Sequence, residues 1–328
     1  MGACASQGWS ASASLRPVTV MAQGLHRVGM LPLLLAQKLG YFQAEGLDVH
    51  FQPVPPQVRS LSDLAALPAA VFAGTFERTL YLNAHGQPHQ AFVLLSRSPQ
   101  VVLGLPARQY PAAASLRDMV GGRVGIDASG SMGHRMAQLM MLRAGLKVSD
   151  VHFVEEPDPD QALHMFLRGD LDAVSHTDPL ISRLERLGSL RVMVDTRSLK
   201  VCDELFGGPM ACTSLSATRD WLERSPDVAQ GLSHGVVRAL KWLQTAGPSD
   251  LVRHLPEASV GGDVGLFLAG FIRSRETLAT DGLFPTHSAR NVVRVLNRLR
   301  LPLDLGVIEP DATWTNRFVS RSKVRFRV

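Results

Sequence analysis

The run Ser129-Gly130-Ser131-Met132-Gly133-His134 places two hydroxyls and an imidazole within six residues, separated by glycines. Glycine lets a backbone approach a bound group closely, and a helix starting in such a loop offers unpaired N–H groups to an anion. One helix terminus favours a negative group by only ~0.3–1 kcal/mol, so useful affinity needs several donors to converge. Ser131 suits either a ligand contact or a cap on its own helix. Met132 adds an apolar surface. Other candidates follow short apolar runs: His26, Thr75 with Phe76, His176 with Asp178, and Gly208 in Gly207-Gly208-Pro209. Thr75 is a donor or a helix cap, and Phe76 an apolar wall. His26 and His134 are imidazoles able to meet an acidic head group, and Asp178 before Pro179 is a contact or a cap.

These residue types hold a ligand and carry no recognisable catalytic apparatus. The sequence has no Gly-x-Ser-x-Gly elbow, phosphate loop or paired metal histidines. Cys4, Cys202 and Cys212 show no Cys-x-x-Cys or Cys/His spacing, so neither a zinc site nor a redox pair is expected. Cys202 and Cys212 could pair in an oxidising compartment, but two small buried thiols are the expected reading. No catalytic residue, metal or cofactor is expected.

The elements that must position these residues read as an α/β series. Residues 17–22 form an apolar strand, and Leu31, Leu34, Leu35, Leu39 and Phe42 recur at helical spacing. Gly46 sits where a left-handed cap belongs, and Leu47, Val49 and Phe51 alternate with polar residues as in a strand. Strand-like runs at 69–73, 90–95 and 101–105 follow, with a helix over 76–84. A second unit opens with the capping box Ser115-Leu116-Arg117-Asp118 and the strand 123–126, leading to a helix with Met132, Met136, Leu139 and Met140 on one face. Asp158-Pro159 starts another helix, strands lie over 171–174 and 190–194, and Ser225-Pro226 opens a long helix. The expected division is a linker or signal remnant over 1–16, a first lobe over 17–104, a second lobe over 105–209, and a return to the first lobe with C-terminal helices over 210–328.

At 328 residues and 45% hydrophobic, the chain is long enough for two such lobes. Its net charge of +5 comes largely from the arginine-rich end beyond Arg290. That end lacks interleaved aromatics or a nucleic-acid motif, so a solvated surface is expected there and no nucleic-acid partner. Met1-Gly2-Ala3-Cys4 and the Ser/Ala-rich run after it resemble the tail of a bacterial lipoprotein signal, which makes Cys4 the expected lipidation site. A lipid anchor there is the one membrane attachment expected.

The whole pattern resembles the solute-binding proteins of ABC importers in the sulfonate, nitrate and taurine group, which share a fold with pyrimidine-precursor-binding relatives. The likeness rests on the run from Pro32 to Phe42 with Glu45-Gly46-Leu47-Asp48-Val49, on Gly122-Arg123-Val124-Gly125-Ile126, on the Ser-Gly-Ser turn at 129–131, on Ala144-Gly145-Leu146, and on Phe206-Gly207-Gly208-Pro209 with Arg219-Asp220-Trp221-Leu222. Leu67-Pro68-Ala69-Ala70-Val71 departs from the family's usual Asp-containing strand. The resemblance implies a two-lobed α/β fold, the periplasmic binding protein type II fold, with a cleft between lobes. It also implies a periplasmic monomer that delivers a small organic anion to a permease and its ATPase. Two alternatives remain at this stage: a pyrimidine-precursor binder or synthase-like enzyme of thiamine biosynthesis, and a ligand-sensing domain.

Overall fold

Local chemistry accounts for the first element pair. In β2 (Leu47–Pro53) the alternating side chains Leu47 and Val49 are buried while His50 is exposed. This strand runs parallel to β1 (Arg16–Ala22), with Leu47 opposite Arg16. Between them lies α1 (Leu31–Lys38), which carries Pro32 in its first turn, where a missing N–H costs nothing. Gly46 ends the connection at φ 75°, a left-handed conformation in which a side chain would be strained. The computed structural model describes residues 14–55, 57–58, 60–108, 115–255, 262–299 and 308–327. Cys4 lies outside the described residues.

Two five-stranded mixed sheets are built from such units. The first has the order β2-β1-β3-β10-β4, with β3 (Val71–Thr75), β4 (His89–Ser96) and β10 (Thr213–Thr218). In it β10 runs antiparallel to β3 and β4. The second has the order β7-β6-β8-β5-β9, with β5 (Val102–Pro106), β6 (Arg123–Ile126), β7 (His152–Glu155), β8 (Ala173–His176) and β9 (Leu190–Asp195). Here β5 runs antiparallel to its neighbours, while β6 lies parallel to β7 and β8. The two sheets therefore repeat one plan, a parallel trio, then an antiparallel strand, then an edge strand antiparallel to that one.

Helices cover the sheets and bring loops to their carboxyl edges. In the first lobe α2 (Leu61–Ala66) and α3 (Phe76–Ala84) flank β3. In the second, α4 (Met132–Arg143), α5 (Pro159–Arg168) and α6 (Leu180–Arg186) follow β6, β7 and β8. Asp158 caps α5 by accepting from the N–H groups of Asp160 and Gln161, and Gly169 closes it in the left-handed region. The remaining helices are α7 (Leu199–Phe206), α8 (Arg219–Arg224), α9 (Pro226–Thr245), α10 (Pro248–His254), α11 (Val264–Ser274), α12 (Ser288–Arg298) and α13 (Arg317–Phe326). The long α9 packs against α1, and Gly235 allows this approach, since a Cβ there would sit 2.5 Å from the Phe42 ring. The sequence pattern does not announce α2, α7, α8 or α10, and it expects a solvated surface where α13 instead buries Phe318 and Val319 against the first lobe.

The chain passes between the sheets over residues 97–101 and again over 196–212. The two passages are bonded to each other. Thr196 Oγ1 accepts from the Val101 N–H at 2.8 Å and lies 2.7 Å from the Val101 carbonyl, while the Ser98 hydroxyl donates to the Thr196 carbonyl. Gln100 adopts φ 58°, held there by Ser98 Oγ on its N–H and by its own amide donating to Thr277 Oγ1 at 2.9 Å. A buried non-glycine residue in this region stores strain that its surroundings must offset. Cys202 and Cys212 are free and buried, as the sequence reading expects, so no disulfide crosses this region.

Candidate functional site

The loops at the carboxyl edges of both sheets converge on one cavity of about 480 Å³. That is the place where open α/β sheets hold ligands, and the size suits a small molecule. The first lobe lines it with Gln23, His26 and Arg27 after β1, with Thr75 at the end of β3 and with Glu77 in the turn of α3 that follows. The second lobe contributes Asp127, Ser131 and Met132 after β6, and His176 to Pro179 after β8. Ser98 and Gln100 from the crossover, with Cys212 and Thr213 at the start of β10, complete much of the wall.

Two ion pairs join the lobes across this space. Arg27 Nη2 donates to Asp127 Oδ2 at 3.0 Å. Glu77, in the first turn of α3, pairs with Arg135, in the first turn of α4, and both side chains are almost fully buried. Burial lowers the Arg135 guanidinium to about 10, which still leaves it charged at neutral pH. Asp127 feels opposing influences. Burial pushes its carboxyl up, but Arg27, His176 and the Ser131 hydroxyl together hold it below the usual carboxylate range. It is therefore ionised.

The cavity's imidazoles are neutral for the opposite reason. Burial is the chief cause lowering both His26 and His176, and Arg27 adds to it in each case. Asp127 pulls His176 upward without reversing the result. His176 Nε2 and Thr75 Oγ1 are buried without a hydrogen-bond partner, while the Thr75 N–H donates to Gln23 Oε1 at 3.2 Å. Buried polar groups left unpaired are costly, so these two are candidates for completion by a ligand.

Of the residues singled out from sequence, His26, Thr75, Ser131, Met132, His176 and Asp178 line the cavity. Ser131 also caps α4, its hydroxyl accepting from the His134 N–H at 3.1 Å. Asp178 holds the start of α6 by accepting from the Ser182 N–H at 2.9 Å and faces Arg197 on its other oxygen. Five candidates do not line it. Phe76 points into the first-lobe core, its ring 5.7 Å from that of Phe284, because the residue after Thr75 already faces the sheet side of α3. Ser129 turns outward to bond Glu155. His134 faces away from the cleft, accepting from the Gly130 N–H at 2.9 Å and packing on Phe153. Gly133 serves packing, since a Cβ there would lie 2.4 Å from the Ser175 carbonyl oxygen. Gly208 lies beside Asn291 at φ 135°, a turn position away from the cavity.

Sequence reasoning missed Gln23, Arg27, Glu77, Asp127 and Arg135. Arg27 and Asp127 stood in loops already marked as strand ends, so a search for charges flanking those loops could have found them. Glu77 and Arg135 carried no such signal, because charged residues in a helix's first turns ordinarily face solvent.

Two α/β lobes joined by paired crossovers, each sheet closing on a shared cavity, define the periplasmic binding protein type II architecture. Residues 28–245 match the family model described as NMT1/THI5 like, and the chain belongs to that family. A solved structure from Bordetella bronchiseptica is 32% identical with a TM-score of 0.84, covering 96% of this chain and 99% of its own. The periplasmic aliphatic sulphonate binding protein SsuA from Escherichia coli is 17% identical, TM-score 0.68, covering 93% and 99%. An enzyme shares the fold: the desulfurization enzyme DszB, solved with biphenyl-2-sulfinic acid, is 19% identical, TM-score 0.63, covering 95% and 100%. No curated protein sequence matches. Among the described residues no cluster of His, Cys, Asp or Glu could hold a metal ion, and no helix is long and apolar enough to cross a membrane.

Proposed function

We propose that this chain is the solute-binding component of an ABC importer and takes a small organic acid, a sulfonate or a carboxylate, between its lobes. The observation that carries the reading is the cavity walled by strand-end loops from both sheets. A ligand touching both walls stabilises the closed arrangement because only that arrangement completes its hydrogen bonds. Thr75 and His176 offer uncharged polar groups without partners, and Arg27 supplies positive charge for the acidic group. The apolar faces of Met132 and Val28 favour an organic ligand over an inorganic one. The family, and the sulphonate binder among the proteins of like fold, support the same class. Delivery would then be to a membrane permease and its ATPase, from a periplasmic monomer, with Cys4 as the point of lipid attachment.

The existence of an enzyme on this fold makes catalysis the rival reading. Cys212 is the cavity's one nucleophile candidate of sulfur type among the described residues, and its environment argues against that use. Burial raises its thiol well above the ordinary value, and Cys202 nearby adds to the effect. A thiol so placed is protonated at neutral pH, and it is the thiolate that attacks.

A thermal-shift screen of sulfonates, carboxylates and pyrimidines on the purified chain tests the proposal, followed by calorimetry and chromatography of the recovered ligand. A ligand at about 100 times its Kd raises stability by ~2.7 kcal/mol. The expected result is an organic acid that binds and is recovered unchanged. Recovery of a converted product, or binding that Thr75→Val and Arg27→Gln both leave untouched, would overturn it.

A further inference from the structure

Among the described residues, the charged side chains lining the cavity are Arg27 and Arg135 against Glu77, Asp127 and Asp178. Glu77 and Arg135 neutralise each other, and Asp178 is held by Arg197 from behind. Arg27 and Asp127 are left to face the ligand, and they already face each other at 3.0 Å. A site shaped for a bare anion would leave its arginine opposed only by neutral donors. Here a part-buried carboxylate stands beside the arginine, its Oδ1 atom buried without a hydrogen-bond partner, and His176, buried and with Nε2 unpartnered, lies near it.

A plain anion entering this space gains Arg27 and meets Asp127 as a like charge in a poorly solvated cavity. A ligand that brings its own N–H donors satisfies both residues together. The opposed charges are then divided between two ends of one molecule, which suffers far less of the repulsion that buried like charges impose.

On the reading of this cavity as an organic-acid site, we propose that Asp127 is a specificity-determining residue: its carboxylate selects a ligand that carries an ammonium or amide N–H donor beside the acidic group over the same acid without one. Arg27 takes the acidic end and Asp127 the N–H end. The pairing of these two side chains keeps each partnered until a ligand separates them.

The test uses matched pairs on the full chain by calorimetry: propane-1-sulfonate against 3-aminopropane-1-sulfonate, butanoate against 4-aminobutanoate, and 3-methylbenzenesulfonate against 3-(aminomethyl)benzenesulfonate. The amino member of at least one pair is expected to bind ten times more tightly or better. Asp127→Asn should remove most of that ratio by weakening the amino member and improving the plain acid, while Asp127→Glu keeps part of it. Circular dichroism and melting of each variant establish that it is folded. Plain acids binding as well as their amino partners, or a ratio unchanged in Asp127→Asn, would overturn the role of Asp127 and leave the organic-acid reading standing. Binding by no acid of either kind would sink both.

Discussion

Glu77 and Arg135 meet between the lobes, each from the first turn of a helix whose start faces the cavity, and their side chains are 6% and 7% exposed. A buried pair of this kind contributes little relative to an apolar pair of equal size, because desolvating two charges cancels much of their attraction. Its effect is felt when one partner is removed.

Glu77→Ala leaves the Arg135 guanidinium buried and uncompensated, at a cost of about 3–5 kcal/mol. The double replacement Glu77→Leu with Arg135→Met should recover most of this loss. Urea unfolding of the three variants checks both statements. A single variant as stable as the parent would mean that the two lobes part readily enough for water to reach Arg135.

Thr75 and Ser131 separate ligand contact from helix capping. Ser131 accepts the His134 N–H, so Ser131→Ala should lose ~0.5–2 kcal/mol of stability as capping residues do. Thr75 makes no cap bond and its Oγ1 has no partner, so Thr75→Val should stay within about 0.5 kcal/mol of the parent. Its affinity for ligand should nonetheless fall, by the ~0.5–1.5 kcal/mol of one hydrogen bond. Melting curves paired with calorimetry distinguish the two; a Thr75→Val protein that melts early but binds normally would take Thr75 out of the site.

His89, His134 and His176 are all held below the ordinary value of 6.5, burial being the largest cause for each. In the unfolded chain these rings take up protons as the pH falls past about 6.5, whereas in the folded chain they do so only at lower pH. Over that interval the unfolded state binds more protons, so stability is full above about 6.5 and is lost as the pH drops below it. Asp127 contributes in the same direction only below its ordinary 3.8, outside this window. Urea midpoints from pH 8 to pH 5 should fall steadily below 6.5, and His176→Gln should flatten that slope. A midpoint that rises toward pH 5 would contradict neutral burial of these rings.

Much of the scaffold was legible along the chain because its signals are local. Leu47 and Val49 alternate with polar residues within one strand, Gly46 and Gly169 stop their elements where only glycine is unstrained, and Asp158 satisfies N–H groups two and three residues ahead of it. The strand-end loops could be marked for the same reason, and so His26, Thr75, Ser131, Met132, His176 and Asp178 were found at the cavity. Which side chain of a loop faces inward was not local. Phe76 follows Thr75 directly, yet it packs on Phe284 from the loop ahead of α12, and Ser129 and His134 turn away from the cleft that Ser131 lines.

The sequence by itself determined the elements, their caps and the two-lobed α/β plan, since hydrophobic period and capping chemistry act over a few residues. Only the tertiary structure decided that Arg27 meets Asp127, and that Glu77 meets Arg135. No spacing along a chain encodes which of its many charges will be neighbours. That choice is made when paired crossovers bring the carboxyl edges of the two sheets to one cavity and bury the Glu77–Arg135 pair between them.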